Sequence, residues 1–276
     1  MLNLKHLAFA FFLFTASQTA YSQLGFSHEI GVIAGPLEFR SDFGSRNEFE
    51  TNFGNSGFGI GIVHYINFAY RADCNCYTTD TYFNDHFKLR NEISYNKTNL
   101  EHLGFWVQPD KVSTQAEQLR AHKGVANNFD IGTQIEFFPL SIRDFQGFAY
   151  RFAPFVSLGI HFTSFNPKVS TTFANPNPDA VGDILDQTNF YSFWFDNFTP
   201  GVDTFPIREQ SGTTWSTVTS IGVRYKLSKL SDLMLDLRWQ YYFNDWVDGL
   251  NHTWRGYNKN NDWLVWLNFG YIYYLD

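Results

Sequence analysis

Between residues 129 and 138 the chain alternates strictly between apolar and polar positions. Phe129, Ile131, Thr133, Ile135 and Phe137 fall on one face, with Asp130, Gly132, Gln134 and Glu136 on the other. A helix would place Asp130, Gln134 and Phe137 together, whereas a strand of period two separates them. The same alternation recurs over 26–34, 57–68, 87–96, 152–163, 215–227, 233–244 and 264–275. In the last of these, Val265, Leu267, Phe269, Tyr271, Tyr273 and Leu275 oppose Asn268 and Gly270. Each segment is close to the roughly 9–11 residues that a tilted strand needs to cross a bilayer. The pattern predicts an all-β chain, a transmembrane antiparallel up-and-down β-barrel of about eight strands.

The connections fit that architecture. With a periplasmic N-terminus, the segments 36–56, 97–125, 164–212 and 245–263 face outward and are long, whereas Ser228–Asp232 is a short inner turn. Long outer loops and short inner turns are the usual asymmetry of outer-membrane barrels. Residues 69–86 break it, as a long inner connection. A secreted β-sandwich would also alternate, but with a water-facing polar face rich in Lys, Glu and Thr. Here the polar face is rich in Gly and mixes charge signs, which suits a narrow lumen filled by side chains. It collects Glu29, Arg90, Glu92, Asp130, Glu136, His161, Arg224, Asp236 and Arg238. The structural reading of this set is a plug of salt bridges, because an unpaired buried charge costs several kcal/mol. The functional reading is a proton or solute path, or a catalytic carboxylate.

The start of the chain bears on compartment. Lys5 precedes an apolar run from Leu7 to Ala16, and Ala20-Tyr21-Ser22 offers small residues at a cleavage site. That is a secretory signal peptide over residues 1–22, which leaves 23–276 as one barrel domain. The run is too short for a membrane anchor of about 20 residues. No Cys follows it to carry a lipid. Aromatics make up 20% of the 276 residues, with 31 Phe, 15 Tyr and 8 Trp, yet the mean hydropathy is only −0.27. An exported, aromatic-rich chain that is polar on average, with no long apolar run after the leader, belongs in the cell outer membrane, with outer-membrane lipid around it. The net charge of −7 and the lack of a basic stripe exclude a nucleic-acid partner.

Little in the chain points to catalysis. Cys74-Asn75-Cys76 lies in the long inner connection, where it reads as a local disulfide or as free thiols. Two Cys cannot complete a zinc site, and no pair of His sits at metal spacing beside them. His28 and His64 fall on lipid-facing positions, and no GxSxG nucleophile motif or phosphate-binding Gly loop occurs. The expectation is therefore no enzyme, no cofactor and no metal. A lipid-modifying barrel enzyme is the weaker alternative. In the third outer loop, Asn175-Pro176-Asn177-Pro178-Asp179 precedes Phe193-Trp194-Phe195-Asp196-Asn197-Phe198, aromatics that serve either as a contact surface or as loop packing.

Several patterns in order resemble the PorG-like outer-membrane β-barrel family of the type IX secretion system of Bacteroidota-type bacteria. They are Glu29-Ile30-Gly31-Val32, then Gly57-Phe58-Gly59-Ile60-Gly61-Ile62-Val63-His64-Tyr65, then the strand 129–138 followed by Phe152-Ala153-Pro154-Phe155 and Phe165-Asn166-Pro167. The best match sets Phe243, Asp245 and Asp248 in Tyr242-Phe243-Asn244-Asp245-Trp246-Val247-Asp248, followed by Asp262 and Trp263 before the last strand. The chain departs from the family pattern at Gly35-Pro36-Leu37-Glu38 and at Asp248-Gly249, and its third loop is longer. The resemblance implies a barrel whose periplasmic side anchors secretion-ring proteins, with 69–86, 139–148 and 228–232 as the contact surface by position. The competing reading is a small pore or a barrel whose outer loops bind a ligand or a surface.

Overall fold

The structure is a computed structural model that describes residues 26–44, 54–68, 82–173, 183–195, 205–252 and 261–275. The signal peptide, most of the connection 69–86 with Cys74 and Cys76, and parts of three outer loops lie outside the described residues. Eight long strands make the wall: β1 (Ser27–Arg40), β2 (Ser56–Asn67), β3 (Phe87–Glu101), β4 (His122–Phe137), β5 (Phe152–Phe165), β7 (Gly212–Ser228), β8 (Ser231–Tyr242) and β9 (Trp263–Tyr274). A short β6 (Lys168–Thr171) pairs only with the outer end of β4. Each long strand pairs antiparallel with its sequence neighbours, and β1 pairs with β9, so the sheet closes on itself.

The register gives the barrel its size. Stepping from partner to partner, Glu29 leads to Tyr65, Arg90, Gln134, Gly159, Val218, Gln240, Leu264 and back to β1 at Phe39, ten residues further along. With about 3.3 Å of rise per residue and about 4.8 Å between strands, that shear sets a tilt of roughly 40° and a backbone radius of about 8 Å. Inward side chains from opposite walls therefore meet.

The outer surface follows from the alternation. Ile60, Leu158 and Ile221 are 57%, 58% and 62% exposed, so the aliphatic positions point away from the barrel. Two aromatic girdles bound this apolar belt. Phe162 and Trp215 (ring centroids 5.3 Å apart) and Trp239 and Trp263 (6.1 Å) mark the upper one. Phe26 with Phe68, Phe87 with Phe137, and Phe152 with Tyr225 mark the lower one. From Phe58 to Phe68 the chain climbs about 25 Å at this tilt, the height of the apolar band of such barrels.

The strands run further than the periodicity predicts. β1 continues through Gly35-Pro36 to Arg40, because the ladder to β9 passes from Ala34–Phe269 to Leu37–Trp266 and skips the proline, which has no N–H to give. The Trp266 indole N–H donates to the free Gly35 carbonyl at 3.1 Å. β3 and β4 extend as a hairpin above the membrane, from Asn96–Asn128 up to Glu101–Lys123. Above the lipid both faces of that hairpin can be polar, so the alternation that marks a strand fades while the hydrogen bonds continue. The outer connections are correspondingly shorter than 36–56 and 97–125, and helix α2 (Thr114–Ala121) occupies the second. At the inner end, α1 (Tyr82–His86) and α3 (Ile142–Gln146) lie in the first two connections.

Room for the core is made by glycine. Gly59 faces the lumen two strands from Trp266, whose ring reaches it over β1, and a Cβ there would sit 2.4 Å from the indole ring. Gly59→Leu is expected to prevent closure, seen as loss of the fast-migrating form in unboiled gel samples. Gly59→Leu combined with Trp266→Ala is expected to recover part of it.

Candidate functional site

The lumen is the chemically richest region. Glu29, Arg90, Glu92, Asp130, Glu136, His161, Arg224, Asp236 and Arg238 all lie inside, at 2% exposure or less. Lys88, Lys226 and Asp232 join them. The two lysines occupy polar positions of the alternation, so periodicity alone could have included them, whereas the pattern puts Asp232 in a turn. At the inner end, Lys226 meets Asp232 at 3.2 Å, and Glu29 is held by Lys88 at 2.5 Å and Arg224 at 2.6 Å. Arg224 also reaches Glu136 at 3.1 Å, and its guanidinium lies 4.1 Å over the Tyr65 ring. Arg90 then links Glu136 (3.4 Å), Asp236 (3.1 Å) and Glu92 (2.8 Å). Arg238 grips Glu92 with both terminal nitrogens, at 2.6 and 2.5 Å. The ladder of alternating signs runs up the lumen and, through Arg238–Glu92, Arg90–Asp236 and Arg224–Glu29, joins walls that never hydrogen-bond directly.

Above it the lumen turns neutral and polar. The Gln134 amide, donating to Glu92 at 3.4 Å, also lies 3.2 Å from His161 Nε2. Asp130 accepts from Thr163 (2.5 Å), Gln240 (2.9 Å) and Asn96 (3.1 Å).

Both mouths are covered. Below, Ser141 caps α3 by accepting from Asp144 N–H at 3.2 Å, and the helix turns Ile142 and Phe145 into the buried core under Lys226. The Lys226 ammonium sits 5.3 Å from the Phe145 ring and 3.8 Å from that of Tyr274. Above, the outer loops form a dome around a histidine pair. Gly44 N–H donates to His102 Nδ1 at 2.9 Å, which leaves His102 Nε2 to donate to His122 Nδ1 at 2.9 Å. Phe43 stacks on both imidazoles and Trp194 packs against both. The aromatics of the third loop thus divide: Trp194 is buried as packing, while Phe193 remains exposed. No periodic pattern flagged the His102–His122 pair, because the two residues sit at the far end of the hairpin, beyond the membrane.

The residues of the family-like motif are spread over the outer rim. Asp248 is fully buried and accepts from Asp42 N–H (3.1 Å) and Leu250 N–H (2.8 Å), tying the first loop to the last. Asp262 is buried beside the end of β8, its carbonyl accepting from Tyr242 N–H at 3.0 Å. Trp263 lies beneath the Arg40 guanidinium at 4.8 Å, Phe243 is exposed at the girdle, and Asp245 is half-buried. His28 and His64 stack at the inner rim of the lipid face, 3.1 Å apart between ring nitrogens. No group of three His, Cys, Asp or Glu side chains suited to a metal occurs among the described residues.

A shut cylinder with an apolar belt, two aromatic girdles and a charged interior defines an integral β-barrel protein of the outer membrane. No family model matches the chain, and neither does any curated protein. Among solved structures it is similar to the Neisserial surface protein A, with 14% identity, 89% of this chain and 96% of that one covered, and a TM-score of 0.40. It is also similar to OprG from Pseudomonas aeruginosa (12% identity, 90% and 97% covered, TM-score 0.38). A major outer membrane protein from Thermus thermophilus matches at 12% identity, with 90% and 99% covered and a TM-score of 0.42.

Two outcomes follow from this geometry. Glu92→Gln strands Arg238 without a counter-charge, so stability should fall by about 3–5 kcal/mol, whereas Glu92→Gln with Arg238→Met should lose less; urea unfolding in detergent reads both. Burial holds the His102 imidazole well below its ordinary value of 6.5, so it stays neutral in the folded dome. The unfolded loop takes up that proton below about pH 6.5, so dome stability should fall as pH drops through that value. Proteolysis of the outer loops should accelerate between about pH 7 and 5, and His102→Gln should flatten that dependence.

Proposed function

We propose that this protein is a non-enzymatic, non-conducting outer-membrane anchor, a PorG-like component of a type IX secretion system whose periplasmic side holds ring machinery. The observation that carries the reading is the occupied lumen. A cylinder of about 8 Å radius crossed by the ladder from Lys226 to Arg238 and covered at both ends has its interior committed to stability. What remains for function is surface. The order of motifs from Glu29-Ile30-Gly31-Val32 to Asp262-Trp263 supports the secretion assignment. The periplasmic face would act through the connections 69–86, 139–148 and 228–232, where Tyr82, Phe83, Leu140 and Leu230 are exposed.

A surface-binding barrel is the second reading, favoured by one feature. All four outer loops converge on a cavity of about 60 Å³, walled by His102, Trp106 and Trp194 among others.

Deleting residues 73–84 should leave a folded, heat-modifiable barrel that no longer co-purifies with periplasmic ring components. Retained association would sink the proposed surface. In planar bilayers the intact protein should show no stable open level; a reproducible one would replace the anchor with a pore.

A further inference from the structure

The charges of the lumen do not balance. Lys88, Arg90, Arg224, Lys226 and Arg238 supply five cations, and Glu29, Glu92, Glu136, Asp232 and Asp236 supply five carboxylates, each within salt-bridge distance of the other set. Asp130 is the sixth carboxylate. It is fully buried and makes no salt bridge among the described residues, and Arg238, two positions from its hydrogen-bond partner Gln240 on β8, is engaged by Glu92 through both terminal nitrogens. A lone ion in a desolvated interior is costly unless a counter-charge accompanies it.

The surroundings of Asp130 suit a bound ion. Thr163 and Ser216 hydroxyls lie 3.3 Å apart beside it, and the Gln240 amide touches both Asp130 and Ser216 at 2.9 Å. Asn96 contacts the second carboxylate oxygen, and Asn128 stands behind it, 3.2 Å from Asn96 and 3.4 Å from the Tyr242 hydroxyl. The carbonyl oxygens of two of these buried amides, Gln240 Oε1 and Asn128 Oδ1, accept no hydrogen bond. A buried acceptor left unmet costs about 1–3 kcal/mol, and that of Gln240 belongs to a side chain in direct contact with the uncompensated anion. The available donor atoms are one carboxylate with neutral amide and hydroxyl oxygens, a hard set without nitrogen or sulfur ligands.

We propose that Asp130, Thr163, Ser216, Gln240 and Asn96 form a binding site for a small hard monovalent cation of sodium size, which completes the charge balance of the lumen. One negative charge matches one positive charge. The amide groups of Gln240 and Asn96 turn to present oxygen, and the ion is enclosed beneath the dome of outer loops.

The test uses the purified full-length barrel in detergent near pH 8, at one ionic strength, in sodium chloride or in the chloride of the bulky cation N-methyl-D-glucamine. The readout is the temperature at which the heat-modifiable form is lost. Sodium should raise it by roughly 5 °C, and Asp130→Asn, which removes the charge but keeps the shape, should abolish the difference. A high-resolution structure from crystals grown in sodium chloride provides an independent measurement, with density expected against the Asp130 carboxylate that is ringed by oxygen atoms at ion rather than water contact distances. A midpoint indifferent to the cation would overturn the proposal, as would an equal sodium effect in Asp130→Asn. A midpoint that falls with rising pH whatever the cation would also overturn it, because a proton would then be the missing charge.

Discussion

Everything in this molecule answers to the width of the cylinder. Eight strands sheared by ten residues leave a radius of about 8 Å, so each inward side chain lies within reach of the opposite wall. Water cannot solvate charges at that distance from the mouths. Each charge needs another to meet it, and partners come from across the barrel: Arg238 on β8 meets Glu92 on β3, and Arg90 on β3 meets Asp236 on β8. The ion pairs are therefore cross-braces as well as counter-charges.

The same constraint explains the glycines of β1 and β2. Trp266 on β9 is fully buried and lies flat along the wall over Gly35 of β1, with its indole N–H on the Gly35 carbonyl, reaching a place on β2 that is open only because Gly59 carries no side chain. One wall is thus thinned to seat a large ring, while the others carry the long charged side chains. The mouths follow another logic. The covers are built from Phe145 below and from Phe43 and Trp194 above, because a polar ladder reaching bulk water at either end would be screened and weakened.

The faces of the wall were legible in the sequence because a strand exposes its two environments on alternate residues. Phe129 and Asp130 could be assigned to opposite sides with nothing else known. The strand ends were not legible: the outward positions Lys97, Asn99, Glu101, Lys123 and Asn127 are polar, and the inward ones mix Asn96, Thr98 and Asn128 with Leu100 and Ala126, so a pattern tuned to the lipid boundary stops where the lipid stops. Nor were the pairings. Arg238 and Glu92 are 146 residues apart, on strands that share no ladder, and their meeting depends on tilt and shear, which are properties of the closed sheet. The His102–His122 pair was missed for a related reason, since it belongs to the part of the hairpin that rises past the membrane.

The seam between β1 and β9 joins the two ends of the chain, and it is fastened at both surfaces. Leu275 N–H donates to the His28 carbonyl at 2.9 Å on the inner side, and Asp42 N–H donates to Asp248 on the outer side. Contacts so distant along the polypeptide form last and slowly. Until β9 is in place, β1 offers a long apolar edge that would pair with any neighbour. A polypeptide in that condition is open to pairing with other chains, and its final act of folding is to shut the door it came through.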